Sequence, residues 1–394
     1  MIASVLRVFA LYLLLSPCWA ADSIRIGVSG PFTGGSSPMG LSMRDGIRIA
    51  AAEINAAGGV LGRPIELVER DDEARNERGV AVAQQLIGQD KVVATVGIVN
   101  TGVALASQRY YQSARVPVIT AVATGSLITR QFLPPAYADN YVFRLSCADA
   151  LQAAMMVDEA VERRRFTRIA ILHDATNYGQ LGRNDLERAL EKRGLRAVAV
   201  ERYNPGDVDL SAAVLRAKRA GAEVLLTYGI GPELARIANA AAKLGWKVPM
   251  VGSWTLSMST FIDSAGPNAE GARMPQTYLV DDPHPRAQAF REAWQKAVGS
   301  DRMLSPSAAA QGYDALRLLV AAIRQAGSTE GPKIREALED LRDPVEGALM
   351  SYQQPFSVSD HEAIKSSRMA YLAEVRRGQI VFAYEDDRKR AAAR

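Results

Sequence analysis

The segment from Ile24 to Asp72 is the feature that most constrains the fold of this chain. It contains, in order, a short apolar strand, a glycine-rich turn, an amphipathic helical pattern that ends at Gly58-Gly59, and a second short strand. Met43, Ile47 and Ile54 lie on one face of the helix because four and then seven residues separate them. Glycine suits the left-handed conformation that often ends a helix. The segment therefore predicts one βαβ unit of a parallel sheet.

The alternation of strands and helices continues along the chain and then begins again. Short β-branched runs without polar interruption are typical of strands buried on both faces of a parallel sheet. Helical patterns of 10 to 15 residues fit between them. The predicted strands fall into two sets of four, which are Ile24–Val28, Ile65–Glu69, Val92–Gly97 and Val118–Thr120, then Arg168–Leu172, Ala197–Val200, Glu223–Thr227 and Val248–Val251. The repeat predicts an α/β protein with two doubly wound parallel-sheet lobes.

Three joining segments are predicted to form a hinge between these lobes. They lie at residues 141–146, 274–280 and 354–356. The predicted first lobe comprises residues 22–144 and 277–354, and the second comprises residues 145–276 and 355–384. Residues 385–394 have no apolar face and are predicted to be a flexible tail. A hinge of this kind places a ligand between the lobes, at the carboxyl ends of the strands.

Composition and the first residues indicate an exported globular protein. A chain of 394 residues, 48% hydrophobic and 23% charged, fits two lobes of ordinary size. Residues 1–20 combine one basic residue, a short apolar run and small residues before Ala20, which predicts a signal peptide and a periplasmic location. Pro17 directly before Cys18 disfavours a lipoprotein signal. The net charge of +4, with acids and bases interleaved, argues against nucleic acid as a partner.

The chain lacks the residue patterns that catalysis or metal binding requires. Its three histidines are far apart in sequence, and no HxxxH, CxxC, G-x-S-x-G or P-loop pattern is present. Asp71 and Asp72 end a strand where a dinucleotide fold would bind a ribose, but without a phosphate loop they fit solvated carboxylates that cap a turn. Once the signal peptide is removed, Cys147 has no partner for an intramolecular disulfide. We predict a protein that is not an enzyme and needs no metal or cofactor.

Hydroxyl-bearing and small residues follow two neighbouring strands of the predicted first lobe. Thr101 opens a helix after the third strand, between Asn100 and Gly102, and Val122 and Thr124 follow the fourth strand. Hydroxyls and free N–H groups in such places can hold an anion above the sheet. Either threonine alone fits ordinary helix capping equally well. Their repetition on adjacent strands predicts a cradle for a carboxylate.

The chain resembles the periplasmic leucine/isoleucine/valine-binding proteins, the type I solute-binding components of ABC importers. The resemblance rests on GPFTG from Gly30, on DGIRIAAAEINAAGGVLGRPIELVERDD from Asp45, and on HDATNYG from His173. It extends from Ile24 to about Ile364. The resemblance implies a type I periplasmic binding protein fold, whose two lobes are joined by a three-segment hinge.

The same resemblance implies roles for individual residues. In the family, a hydroxyl residue at the position of Thr101 and the segment matching Thr120–Thr124 hold the α-carboxylate of the ligand. A tyrosine of the second lobe, which corresponds to Tyr178, closes over it.

Three departures from the family pattern concern the remainder of the ligand. Trp254 stands where amino-acid binders have a carboxylate that pairs with the ligand ammonium. Ile230 stands where the relatives have a polar aromatic residue, and Met39 where they have Trp or Tyr. The second-lobe half of the site is therefore expected to be more apolar than in amino-acid binders.

The resemblance implies a monomeric extracytoplasmic protein that delivers a small carboxylate to an ABC permease in the inner membrane. The ligand is either a branched-chain or related amino acid or an aromatic or aliphatic acid, and the residues leave both open. The alternative function is a ligand-sensing receptor or regulator domain of the same fold.

Overall fold

A computed structural model describes residues 22–393, so the predicted signal peptide and Cys18 lie outside the described residues. The strands of the first sheet are β1 (Ile24–Gly30), β2 (Ile65–Asp71), β3 (Ala94–Gly97), β4 (Val118–Thr120) and β5 (Val142–Arg144). All five are parallel and follow the order β2-β1-β3-β4-β5. The fifth strand lies within a segment that was predicted only as a connection.

The second part of the chain forms a larger sheet. Its strands are β6 (Ile169–Asp174), β7 (Ala199–Tyr203), β8 (Val224–Tyr228), β9 (Met250–Gly252), β10 (Arg273–Gln276), β13 (Tyr371–Arg376) and β14 (Gln379–Phe382). Strands β11 (Val345–Glu346) and β12 (Ser351–Tyr352) form a separate short antiparallel pair. The order β7-β6-β8-β9-β10 repeats that of the first sheet, and the antiparallel hairpin β13-β14 extends it. The repeat confirms the prediction of two doubly wound sheets.

Helices connect the strands and cover the sheets. They are α1 (Ser37–Ala56), α2 (Asn76–Gly88), α3 (Thr101–Ala114), α4 (Asp149–Val157), α5 (Asn177–Glu191), α6 (Ser211–Arg219), α7 (Gly231–Lys243), α8 (Ser259–Ala265), α9 (Pro285–Val298), α10 (Pro306–Ala326), α11 (Gly331–Glu339) and α12 (Glu385–Ala392). Helix α10 packs against α1 so closely that a Cβ on Gly46 would lie 2.0 Å from the carbonyl oxygen of Ala309. This contact returns the chain to the first sheet, as predicted.

The chain passes between the two sheets three times, after β5, after β10 and before β13. The first and third passages touch each other. Arg144 donates its backbone N–H to His361 O at 2.9 Å, and Ala363 donates to Arg144 O at 2.9 Å. Because these bonds tie the connections together, the lobes share one hinge region. The lobe boundaries in sequence remain predictions.

Two predictions fail because long-range contacts override the local pattern. Residues 385–392 form α12 rather than a flexible tail: Leu372 N donates to the Asp387 carboxylate at 3.0 Å, and Arg390 donates to Ala370 O at 2.9 Å. Asp72 is fully buried rather than solvated, and its carboxylate accepts from Ser29 Oγ at 3.0 Å. Both segments are held by polar contacts with residues distant in sequence.

Candidate functional site

The two strand ends that carry the predicted carboxylate cradle lie side by side. Gly125 donates its backbone N–H to Thr101 Oγ at 3.2 Å, so the hydroxyl at the start of α3 touches the turn that carries Thr124. Thr101 and Thr124 are both buried, with exposed fractions of 1% and 3%. An oxygen that accepts this bond still has its own hydrogen to donate, so Thr101 can bind an acceptor in the cleft.

The beginning of α3 adds backbone donors to this wall. Ala104 N donates to Asn100 O at 3.0 Å as the first bond of the helical ladder, so the amides of Gly102 and Val103 precede the ladder. The Asn100 amide donates to Ser36 Oγ at 3.1 Å. Asn100 Oδ1 is buried and has no hydrogen-bond partner among residues 22–393. Val122, also in the predicted set, is fully buried in the apolar cluster beneath.

Arg144 fixes the turn that carries Thr124, a role that sequence reasoning missed. One guanidinium nitrogen donates to Thr124 O at 2.8 Å and to Gly125 O at 2.6 Å. The other two donate to the Glu362 carboxylate, each at 2.7 Å. The Arg144 side chain is almost fully buried. A bidentate pair of this geometry holds its partners firmly, so the position of Thr124 is set by the hinge.

Asp149 is a second residue that sequence reasoning missed. Its backbone N–H donates to Thr124 O at 2.8 Å, and Tyr228 Oη donates to its Oδ1 at 3.3 Å. Its Oδ2 is buried and has no partner in the described part of the chain. Burial raises the pKa of the Asp149 carboxyl to about 7. An acid in the first turn of a helix is also the ordinary signal of a helix start, so the pattern gave no sign of this role.

Tyr178 lies at the carboxyl ends of the second sheet, but its hydroxyl is engaged within that lobe. Tyr178 Oη donates to Ser253 Oγ at 2.7 Å. Ser253 Oγ lies 2.9 Å from Thr255 Oγ, which donates to Gly229 O at 2.6 Å. Burial raises the pKa of Tyr178 well above its usual value. No hydrogen bond joins Tyr178 to Thr101 or Thr124 in the described structure.

The residue before Tyr178 reaches the first lobe instead. A Cβ placed on Gly102 would lie 3.0 Å from Asn177 Oδ1 and 2.5 Å from Asn76 Oδ1. Only glycine leaves room for this approach. The start of α5 therefore lies against the start of α3, and the two lobes are in contact here.

The backbone of Trp254 is bonded within the second lobe, while its indole packs into an apolar cluster that includes first-lobe residues. Its backbone N–H donates to Gln152 Oε1 at 3.1 Å, and Gln276 Nε2 donates to its carbonyl at 2.8 Å. The indole is 6% exposed and belongs to the same apolar cluster as Met39 and Val122 of the first lobe. Trp254 and Met39 thus belong to one buried apolar cluster with members from both lobes.

Ile230 makes a separate apolar contact between the lobes. It precedes α7, and its Cδ1 would lie 3.8 Å from a Cβ on Gly35 of the first lobe. The contact lies across the cleft, because Gly35 follows β1 and Ile230 follows β8. At this place the second lobe presents an apolar side chain to the first.

A small cavity of about 10 Å³, with room for one water molecule, lies between the lobes. Its wall includes residues of both lobes: Thr124, Cys147, Gln152, Trp254, Gln276, Thr277, Ser307 and Gln311. Larger depressions of about 330 and 560 Å³ lie at the hinge and beside Trp246, and none of the predicted site residues lines them. The space between the lobes in this structure is therefore too small for a molecule of amino-acid size.

Residues 22–393 offer neither a metal-binding cluster nor a helix that could span a membrane. No group of three or more His, Cys, Asp or Glu side chains is arranged to hold a metal ion within that range. Nor does any helix there have the length and apolar character needed to cross a membrane.

Known proteins resemble this chain over most of its length. The family model described as "Periplasmic binding protein" matches residues 23–379. The Leu/Ile/Val-binding protein homolog 3 of Brucella melitensis is 30% identical, with 84% of this chain and 86% of the relative covered.

Solved structures agree with this result. A leucine-binding protein from Thermotoga maritima superposes with a TM-score of 0.80 at 27% identity, covering 92% of this chain and 99% of that one. A solute-binding protein from R. palustris in complex with 4-hydroxybenzoate has the same fold, with a TM-score of 0.80 at 22% identity and coverage of 92% and 95%.

These similarities confirm the predicted type I periplasmic binding protein fold, with two lobes built on parallel sheets. The relatives named here are solute-binding proteins rather than enzymes. The chain belongs to the periplasmic binding protein family.

Proposed function

We propose that this protein binds a small carboxylate between its lobes, without catalysis, as the substrate-binding component of an ABC importer. The observation that carries the proposal is the contact between Thr101 and the Thr124–Gly125 turn, which unites two strand ends in a buried interlobe wall. The hydroxyl of Thr101 and the free amides of α3 are donors for an anion, and a carboxylate is the anion they fit.

Ligand binding would stabilise the closed form of the lobes, and that form would dock on a permease in the inner membrane. The predicted signal peptide would take the protein to the periplasm as a monomer. Relatives that bind leucine, isoleucine and valine support this cargo class.

The amino group of the ligand is the open part of this proposal. Trp254 lacks the charge that would pair with an ammonium, which favours an aromatic or aliphatic acid. Asp149 lies in contact with Thr124 and has an unpartnered oxygen, which favours an amino acid. The shared fold does not decide, because it serves both a leucine-binding protein and a 4-hydroxybenzoate complex. We propose a branched-chain or related amino acid, or an aromatic or aliphatic acid, as the ligand.

A thermal-shift screen of amino acids against aromatic and aliphatic acids tests the proposal. A ligand that binds only the folded protein raises the midpoint of unfolding by mass action. We expect at least one carboxylate to raise it, and its methyl ester or amide to have no effect. A screen in which esters and acids act alike would contradict the carboxylate cradle.

The alternative function, a sensor domain, differs in its partner. Stimulation of ATP hydrolysis by a permease complex in vesicles, only when ligand is present, would support transport. Ligand binding without such stimulation by any importer of the same organism would support a receptor or regulator.

A further inference from the structure

The small cavity between the lobes has an unused donor and an unused acceptor among its wall residues. Trp254 Nε1 and Gln311 Oε1 are both buried, and neither has a hydrogen-bond partner among the described residues. The exposed fractions of the two residues are 6% and 3%. Buried polar atoms are nearly always paired in folded proteins. An unpaired donor and an unpaired acceptor on residues that line one cavity therefore indicate a place where a polar group binds.

Neighbouring bonds hold Trp254 in place. Gln152 accepts its backbone N–H at 3.1 Å, and Gln276 donates to its carbonyl at 2.8 Å. Gln276 is itself held, because Ser307 Oγ donates to its Oε1 at 2.7 Å. Because these bonds hold the backbone of Trp254, its indole N–H starts from a fixed position.

Gln311 is fixed in a similar way. It lies on α10, and its Nε2 donates to Thr277 Oγ at 3.1 Å. Because this bond fixes the Nε2 end of the amide, the Oε1 end points in one direction. A preorganised donor and acceptor lose little entropy when a ligand binds.

Gln152 and Cys147, which share this wall, offer these atoms no alternative partner. Gln152 Nε2 donates to Cys147 O at 2.9 Å, so that amide is already engaged at both ends. Burial raises the pKa of the Cys147 thiol well above its usual value, so it stays a neutral and weak hydrogen-bonding group. A bound molecule with a group that both accepts and donates a hydrogen bond would satisfy both atoms.

We propose that the ligand carries a hydroxyl group, in addition to its carboxylate, which accepts from Trp254 Nε1 and donates to Gln311 Oε1. A hydroxyl is the smallest group that both accepts and donates. Thr124 lines the same cavity, so a carboxylate held at Thr124 places the rest of a small ligand beside Trp254 and Gln311. The inference rests on the proposed function and narrows its ligand class to hydroxy acids and hydroxylated amino acids.

Pairs of ligands that differ only by a hydroxyl in place of a methyl group test this inference. Threonine with valine and 4-hydroxybenzoate with 4-methylbenzoate are such pairs, and their affinities can be measured by titration calorimetry. We expect the hydroxyl member of at least one pair to bind about tenfold tighter or more, because a site built for a hydroxyl leaves its polar atoms unpaired with a methyl group.

Two variants locate the effect. Gln311→Leu and Trp254→Phe each remove one of the two polar atoms, and each should lower the hydroxyl-to-methyl preference about tenfold. Gln311→Met serves if the leucine variant does not fold. Gln84→Leu, an exposed glutamine of α2, is the matched control and should leave the preference unchanged.

The outcomes separate this inference from the proposed function. Equal binding of both members of every pair that binds would overturn the inference, and would assign the two atoms to a retained water molecule, while the carboxylate cradle stands. A preference that survives both Gln311→Leu and Trp254→Phe would also overturn it. If no carboxylate binds the folded protein, the proposed function fails and this inference with it.

Discussion

The two walls of the interlobe cleft differ in chemistry and in support. The first-lobe wall is polar: Thr101 and Thr124 lie at adjacent strand ends, and Arg144 holds their turn from the hinge. The second-lobe wall presents Trp254 and Ile230, whose contacts with the first lobe are apolar. A fixed polar wall suits the carboxylate that all proposed ligands share, whereas the opposite wall can differ between relatives with different cargoes.

The largest effect is expected from removal of the support of the polar wall. Arg144→Met leaves the Glu362 carboxylate without its pair and the Thr124 and Gly125 carbonyls without their donor. Loss of one partner of a buried pair costs about 3 kcal/mol in free energy of unfolding. Urea denaturation measures this cost. The double variant with Glu362→Met should recover part of the loss, and a single variant as stable as the wild type would show that the hinge pair does not support the wall.

The hydroxyls of the polar wall should matter for binding, and that of Thr101 also for stability, because it accepts the buried Gly125 N–H. Thr101→Val and Thr124→Val each remove a donor to a charged acceptor in a closed site, and we expect each to weaken carboxylate binding by about 1–3 kcal/mol. Calorimetry measures the affinity, and thermal unfolding checks the fold. Thr167→Val, an exposed position remote from the cleft, is the control. Unchanged affinity in both cleft variants would contradict the carboxylate cradle.

Asp149 tests whether the polar wall also reads an ammonium group. If it does, Asp149→Asn should weaken the binding of amino acids about tenfold and leave acids without an amino group unaffected, because only the former lose a charged partner. Equal effects on both ligand classes would show that Asp149 acts only on the position of Thr124. Calorimetry with leucine and an aliphatic acid of similar size separates the two outcomes.

The same variant has a defined pH dependence in the absence of ligand. Burial raises the Asp149 pKa from 3.8 to about 7, so the folded protein holds this proton where the unfolded chain has lost it. Stability from this group is therefore full below about pH 4 and decreases as the pH rises to about 7. The Asn variant lacks this decrease. Its stability relative to the wild type should rise across that window, and a flat difference would contradict the shifted pKa.

The sequence predicted the sheets well because their signals are local. Continuous apolar runs such as Val118–Thr120 and the helical period before Gly58 need no partner to be recognised, and the repeat of the pattern predicted the repeat of the strand order. Short segments such as β5 escaped, because a three-residue strand is indistinguishable from a connection until its neighbour β4 is placed beside it.

The missed features all depend on contacts between distant residues. Nothing near Asp149 in sequence shows that its carboxylate becomes buried against Thr124 and Tyr228. The polar pattern of residues 385–392 gives no sign that Asp387 and Arg390 bind the backbone beside β13. Apolar periodicity predicts which surfaces are buried, but polar anchoring is specified only by the completed fold.

The smallest effect is expected from an ion pair that joins the two lobes at the surface. Arg302, between α9 and α10, donates to both oxygens of Asp263 on α8 at 2.7 and 2.5 Å, and Ser259 N donates to Leu304 O at 3.0 Å beside it. Because α8 belongs to the second lobe and residues 299–305 to the first, this pair holds the lobes together only when they are closed.

Both side chains are more than half exposed, at 59% and 56%, so the ion pair is worth little. We expect Arg302→Gln to speed ligand dissociation only about two- to threefold at low salt, without a change in association, because the contact forms after the encounter. Arg342→Gln, which breaks an exposed pair with Asp340 within one lobe, is the control. The difference should disappear at about 1 M salt, where exposed charges are screened within about 3 Å. Stopped-flow fluorescence measures both rates. A slower association with unchanged dissociation would mean that this pair steers the ligand rather than holding the two lobes closed.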